Sequence, residues 1–114
     1  MYEEAIFIGW KRPVPGKESA AIELLGMATS FFQKEKRADN ITDVQTVFLS
    51  AHAGDLNGFV LVRGEPAKLD ALRRDDDFVN IAMKSTIVLE GFCIIPSYVG
   101  ESLQKYLAAY QRAI

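Results

Sequence analysis

Apolar and polar positions change period several times along the chain, and each change marks an element. Residues 5–10 form a short apolar run rich in Ile and aromatic side chains, which predicts a strand. Lys11-Arg12-Pro13-Val14-Pro15-Gly16 follows, and two prolines with a glycine so close together predict a loop. From about 17 to 36 the period turns helical, with Ala21, Leu24, Leu25, Ala28, Phe31 and Phe32 recurring at three- and four-residue spacing. Glu18 and Glu23 stand toward the start of this helix and Lys34, Lys36 and Arg37 close it, an order that suits the helix dipole. Residues 41–52, rich in Val, Thr and Phe, predict a second strand. A hairpin loop with two glycines, 53–58, leads into a third strand at 59–62.

Gly64-Glu65-Pro66 ends that strand. Proline suits the first turn of a helix, so a second helix begins near Pro66 and carries Leu69 and Leu72. Asp75-Asp76-Asp77 restarts it as a short piece bearing Phe78, Ile81 and Ala82. Residues 87–95 predict a fourth strand, ended by Pro96. A last helix, from about 101 to 112, shows an apolar stripe of Leu103, Leu107, Tyr110 and Ile114. The order is β-α-β-β-α-β-α, an α+β class chain forming one domain. Its split βαβ core is the order of the ferredoxin-like βαββαβ fold, followed here by a C-terminal helix. In that topology the first and third strands are central. Their runs carry no interior charge, whereas the outer two carry Asp43, Gln45, Thr46 and Glu90.

Side chains alternate between the faces of a strand. On this reading both faces are apolar: Ala5 and Phe7 oppose Ile6, Ile8 and Trp10, and Phe59 and Leu61 oppose Val60 and Val62. Val47 and Leu49 oppose Val44 and Phe48, and Ile87, Leu89 and Ile95 oppose Val88, Phe92 and Ile94. A half-solvated antiparallel sheet shows one apolar face only. Both crossover helices of the fold lie on one side, so something else covers the other. Leaving about eight large side chains wet would forgo about 1.5–3 kcal/mol each. The expected cover is a second copy of the chain, sheet against sheet with two-fold symmetry. The last helix is the alternative cover.

Composition narrows the function classes. The chain has 114 residues, a net charge of −2 and one cysteine. It lacks the overall basic excess that releases counterions from phosphates, so no nucleic-acid partner is expected. A single cysteine forms no internal disulfide, which fits a reducing compartment. No run approaches the ~18 apolar residues of a membrane span and no secretory signal is evident at the start, so a cytoplasmic protein is expected.

Four stretches carry a family resemblance: Pro15-Gly16-Lys17-Glu18, the hairpin Gly54-Asp55-Leu56-Asn57-Gly58-Phe59, Leu72-Arg73-Arg74-Asp75 with Phe78, and Val88-Leu89-Glu90-Gly91-Phe92. With these, nearly the whole chain resembles the dimeric α/β barrel superfamily, and within it a small bacterial group with no assigned activity. The resemblance implies a homodimer joined through the sheet. It does not select a reaction, because the superfamily spans cofactor-free monooxygenases, haem-degrading enzymes, isomerase-like enzymes and proteins of unknown role.

Chemistry-bearing residues are few. His52 is the only histidine and stands where the second strand meets the hairpin loop, beside Asp55. A general base fits a residue type that titrates near neutrality, but the strand-end position favours a histidine bonded to its own loop. No further nitrogen or sulfur ligands are spaced to hold zinc with it, so no metal and no cofactor are expected. Cys93, among Phe92, Ile94 and Ile95, reads as a packing cysteine. Asp75-Asp76-Asp77 lacks the spacing of a calcium loop and reads as a helix cap. Gly16-Lys17 lacks the upstream glycine and following Ser or Thr of a phosphate loop. Asn57-Gly58-Phe59-Val60 lacks the basic and second aromatic positions of an RNA-recognition strand.

Trp10, Arg63, Glu90 and Tyr98 remain as polar or amphipathic groups near strand ends. Glu90, a carboxylate within an apolar run, either meets water at an edge or pairs with a cation such as Arg63. A pocket would be apolar with a few such groups converging. The expectation is a homodimer with room for a small apolar ligand held by Trp10, His52, Arg63 and Tyr98. An enzyme of the cofactor-free monooxygenase type, acting on an aromatic or polyketide-like substrate, would draw its catalytic groups from His52, Arg63 and Glu90. An interaction module using the last helix is the third reading.

Overall fold

A computed structural model describes residues 2–114 of the chain. The elements run β1 (Glu4–Trp10), β2 (Arg12–Pro13), α1 (Glu18–Arg37), β3 (Asp43–Phe48), β4 (Gly58–Gly64), α2 (Pro66–Arg74), α3 (Asp76–Val88), β5 (Leu89–Glu90), β6 (Cys93–Tyr98) and α4 (Gly100–Ala113). β3, β4, β1 and β6 lie side by side in that order, every pair antiparallel. β1 and β4 are therefore central, as their uncharged runs require, and the fold is the ferredoxin-like βαββαβ sheet.

The core lies on one face of this sheet. Ile6, Ile8, Val60 and Val62 pack there against Phe31 and Phe32 of α1, Leu69 and Leu72 of α2, Phe78 of α3, and Ile41. Asp75 separates the two central helices and caps the second: its carboxylate accepts hydrogen bonds from the amides of Asp77 (2.8 Å) and Phe78 (3.2 Å). The aspartate run is thus a helix start.

The third predicted helical piece and the fourth predicted strand need correction. Helix α3 continues to Val88, so Ile87 and Val88 are not strand residues. Thr86, Ile87 and Val88 favour strands in isolation. Here Phe78, Ala82, Ser85 and Val88, all buried, recur at helical spacing, and packing of α3 against α1, with Phe78 on Phe31 and Phe32, prevails. The fourth strand of the sheet begins at Cys93 and runs through Pro96. β6 is an edge, where a residue without an N–H is tolerated. The predicted loop at 11–16 also contains order: Arg12 and Pro13 pair with Glu90 and Leu89 as a separate two-stranded ribbon.

These shifts reduce the second apolar face. Register places Phe7 between Leu61 and Ile95, and Phe59 beside Val47, on the side away from the helices. Asp43 and Gln45 share that side, with Arg63 opposite Asp43. The face is apolar over its middle and one end and polar at the other, and Ile87 and Leu89 do not belong to it. Ile95 is 48% exposed there.

The last helix does not cover this face. Only Ser102 of α4 is buried, its hydroxyl bridging the amide and carbonyl of Val99 at the helix start. Tyr106 stacks on Tyr98 with ring centres 4.3 Å apart. Exposure then rises along the helix, to 52% at Leu107, 64% at Tyr110 and 90% at Ile114. The radius of gyration, 15.2 Å, exceeds the about 13 Å usual for this length, as a projecting helix would produce.

Candidate functional site

Small side chains on the inner faces of two helices leave space above the sheet. Ala21 and Ala28 of α1 and Ala82 and Ser85 of α3 face Ile8, Val60 and Ile94 across a cleft of about 230 Å³. Trp10 and Phe48 close the sheet side of its outer end, and Pro13, Leu89 and Phe92 line the end near the β2–β5 ribbon. Ile22 and Phe48, both mostly exposed, mark the mouth. A second hollow of about 190 Å³ between α1 and β3 shares Leu25, Ala28, Phe32 and Val60 with the first. Helix α1 thus stands off the β3 edge along much of its length.

The cleft wall is almost wholly carbon. Its polar groups are few and mostly engaged. The Ser85 hydroxyl donates to the carbonyl of Ile81 at 2.8 Å. The Glu18 carboxylate accepts the amide of Gly16 at 2.9 Å. The indole of Trp10 lies across Gly58 and meets Phe48 edge to face, ring centres 5.6 Å apart. Among the described residues no cluster of His, Cys, Asp and Glu is placed to hold a metal ion. The arrangement offers shape and an apolar surface in place of ionisable groups.

Of the residues singled out in the sequence, only Trp10 lines this cleft. His52 lies in the exposed loop between β3 and β4. Its Nδ1 accepts the amide of Gly54 at 2.9 Å, so Nε2 carries the hydrogen and donates to the carbonyl of Leu56 at 2.8 Å. Both ring nitrogens hold the loop together. Asp55, its neighbour in sequence, pairs instead with Lys11 at 3.4 Å.

Arg63 stands at the other end of β4, five residues or about 17 Å from the Trp10–Gly58 pair. It also points to the opposite face. Glu90 pairs with Arg12 across the β2–β5 ribbon, Nε to Oε2 2.6 Å, and not with Arg63. That hydrogen bond, with the charge of the carboxylate, raises the pKa of Arg12 above its ordinary value. Tyr98 belongs to the α4 stack. The groups that a deprotonating enzyme would gather around one substrate are therefore spread over both faces and both ends of the sheet. The cleft residues missed in the sequence are Ala21, Ala28, Ala82 and Ser85. Their signal was small size at helix positions that face the sheet.

No family model matches the sequence, and no curated protein sequence does. Solved structures do resemble it. One is a dimeric protein of unknown function and ferredoxin-like fold from Bacteroides fragilis, with TM-score 0.60 and 8% identity over 85% of this chain and 96% of that one. Another is a protein of Pseudomonas aeruginosa, with TM-score 0.57 and 16% identity over 88% of this chain and 97% of that one. At these identities the likeness is one of fold.

Proposed function

We propose that the protein is a homodimer joined through the open face of its sheet, and that each subunit holds a small apolar ligand in the cleft beneath α1 and α3. The cleft carries the ligand reading. An apolar cavity of about 150 Å³ suffices to hold a benzene molecule, and this one measures about 230 Å³. It has room for a neutral molecule of about two fused rings or a short alkyl chain. Glu18 and Ser85 already use polar atoms within the chain, which favours an uncharged ligand.

The dimer reading rests on Phe7, Phe59, Leu61 and Ile95, which share the face away from the helices. Burial favours such side chains by about 1.5–3 kcal/mol each when complete. The dimeric state of the Bacteroides fragilis protein of the same fold supports it.

Trp10 is the only tryptophan in the chain and lines the cleft, so its emission reports occupancy without a label. Titration with naphthalene is expected to change that emission saturably, at one site per chain. Ala21→Phe, which fills the cleft, is expected to abolish the change. An unaltered emission, or the same titration in the filled variant, would refute the ligand site. Sedimentation velocity at micromolar concentration tests the dimer, and a folded monomer would refute it.

A further inference from the structure

Helix α4 presents its apolar stripe away from its own subunit. At 100° per residue, Leu103, Leu107, Tyr110 and Ile114 share one narrow sector. The residues through which α4 touches the body, Ser102 and Tyr106, lie to one side of that sector. Gln104 and Gln111 flank the stripe, Lys105 and Arg112 stand on the opposite side of the helix, and the stripe itself carries no charge. Its members are 40% to 90% exposed.

We propose that this stripe is buried against the second copy of the chain, as part of the same homodimer. The proposal rests on the dimer reading above. Area is what selects this occupant. Four strands of six or seven residues span about 19 by 21 Å, so the open face offers about 400 Å² in plan. A stable interface buries about 800 Å² per partner, and the polar end around Asp43, Gln45 and Arg63 weakens what the sheet supplies. The α4 stripe, with the large ring of Tyr110 within it, exposes on the order of 500 Å² of side chain. Sheet and helix together reach the size that either alone lacks. Two-fold symmetry then lets each α4 cover the other subunit.

Sedimentation equilibrium on the full-length chain and two variants separates the claims. Leu107→Glu combined with Tyr110→Glu is expected to raise the dimer Kd on the order of 100-fold. Both positions are more than half exposed in the subunit, so far-UV circular dichroism should stay unchanged. Ile114→Asp, at the most exposed position of the stripe, is a milder second variant, expected to raise Kd on the order of 10-fold. Ile95→Glu probes the sheet face independently. If the native chain dimerises, Ile95→Glu dissociates it and both helix variants leave Kd unchanged, the proposal fails while the sheet reading stands. If the helix variants dissociate it and Ile95→Glu does not, the sheet reading fails, and the joint interface proposed here fails with it. A native chain that stays monomeric overturns both.

Discussion

Trp10 lies over Gly58, its direct partner across the β1–β4 ladder: a methyl group built on Gly58 would stand 2.5 Å from the indole carbon Cζ2. Phe48 is the partner of Gly58 on its other side. The bare backbone of the middle strand thus lets two rings from flanking strands meet over it, and their contact forms the outer wall of the cleft. Gly9 repeats the device on the opposite face, where the ring of Phe7 leans over it and stacks with Phe59 at 5.1 Å.

Gly58→Ala is therefore expected to displace the indole and destabilise the fold by about 1–3 kcal/mol, the usual cost of overpacking. Urea unfolding followed by Trp10 emission measures both effects at once. An unshifted native emission spectrum with unchanged stability would contradict the contact.

Ile6 and Ile22 should respond in opposite ways. Ile6 is 2% exposed in the core, and Ile6→Ala is expected to cost about 2–5 kcal/mol. Ile22 is 73% exposed at the cleft mouth, and Ile22→Ala should change stability by no more than about 0.5 kcal/mol. It should nevertheless weaken naphthalene binding. Paired thermal melts and fluorescence titrations separate core from mouth.

Asp75→Ala removes the carboxylate that accepts two amides at the start of α3. A loss of about 1 kcal/mol in chemical denaturation is expected, with Asp75→Asn recovering most of it. Asp76→Ala, one residue further on, should cost distinctly less, since its side chain makes no such cap.

His52→Ala should leave naphthalene affinity as it is, because His52 does not line the cleft. The expected change is local: faster hydrogen exchange at the Gly54 amide, which the imidazole now holds. A tenfold loss of affinity would place the histidine in the site after all.

Much of this fold could be read from pattern, because the stripe of Leu24, Phe31 and Phe32 keeps the helical period, while the runs of β1 and β4 are short, rich in β-branched and aromatic residues and bounded by breakers. Ile87 and Val88 were misleading because β-branched side chains also fit a helix once that helix has a neighbour to pack on, here α1. Pro96 looked like a strand end because proline gives no N–H to a ladder, although an edge strand such as the fourth tolerates that loss. The Arg12–Glu90 pair joins residues 78 apart, beyond any local pattern. The cleft was hidden for a different reason. It is the volume that Ala21, Ala28 and Ala82 fail to fill, and a single sequence displays side chains more readily than the gaps between them.

Pro96 also bears on how copies of this chain add to one another. A strand joining the sheet at β6 would need an unbroken row of donors, and proline interrupts that row in mid-strand. Growth edge to edge, the route to ribbons and fibres, is thereby obstructed on one flank. Contact through a face has no such obstacle, and a face used once by a two-fold pair is no longer open to a third copy. A single missing N–H thus closes one flank of the sheet to added strands and leaves its open face free of that obstacle.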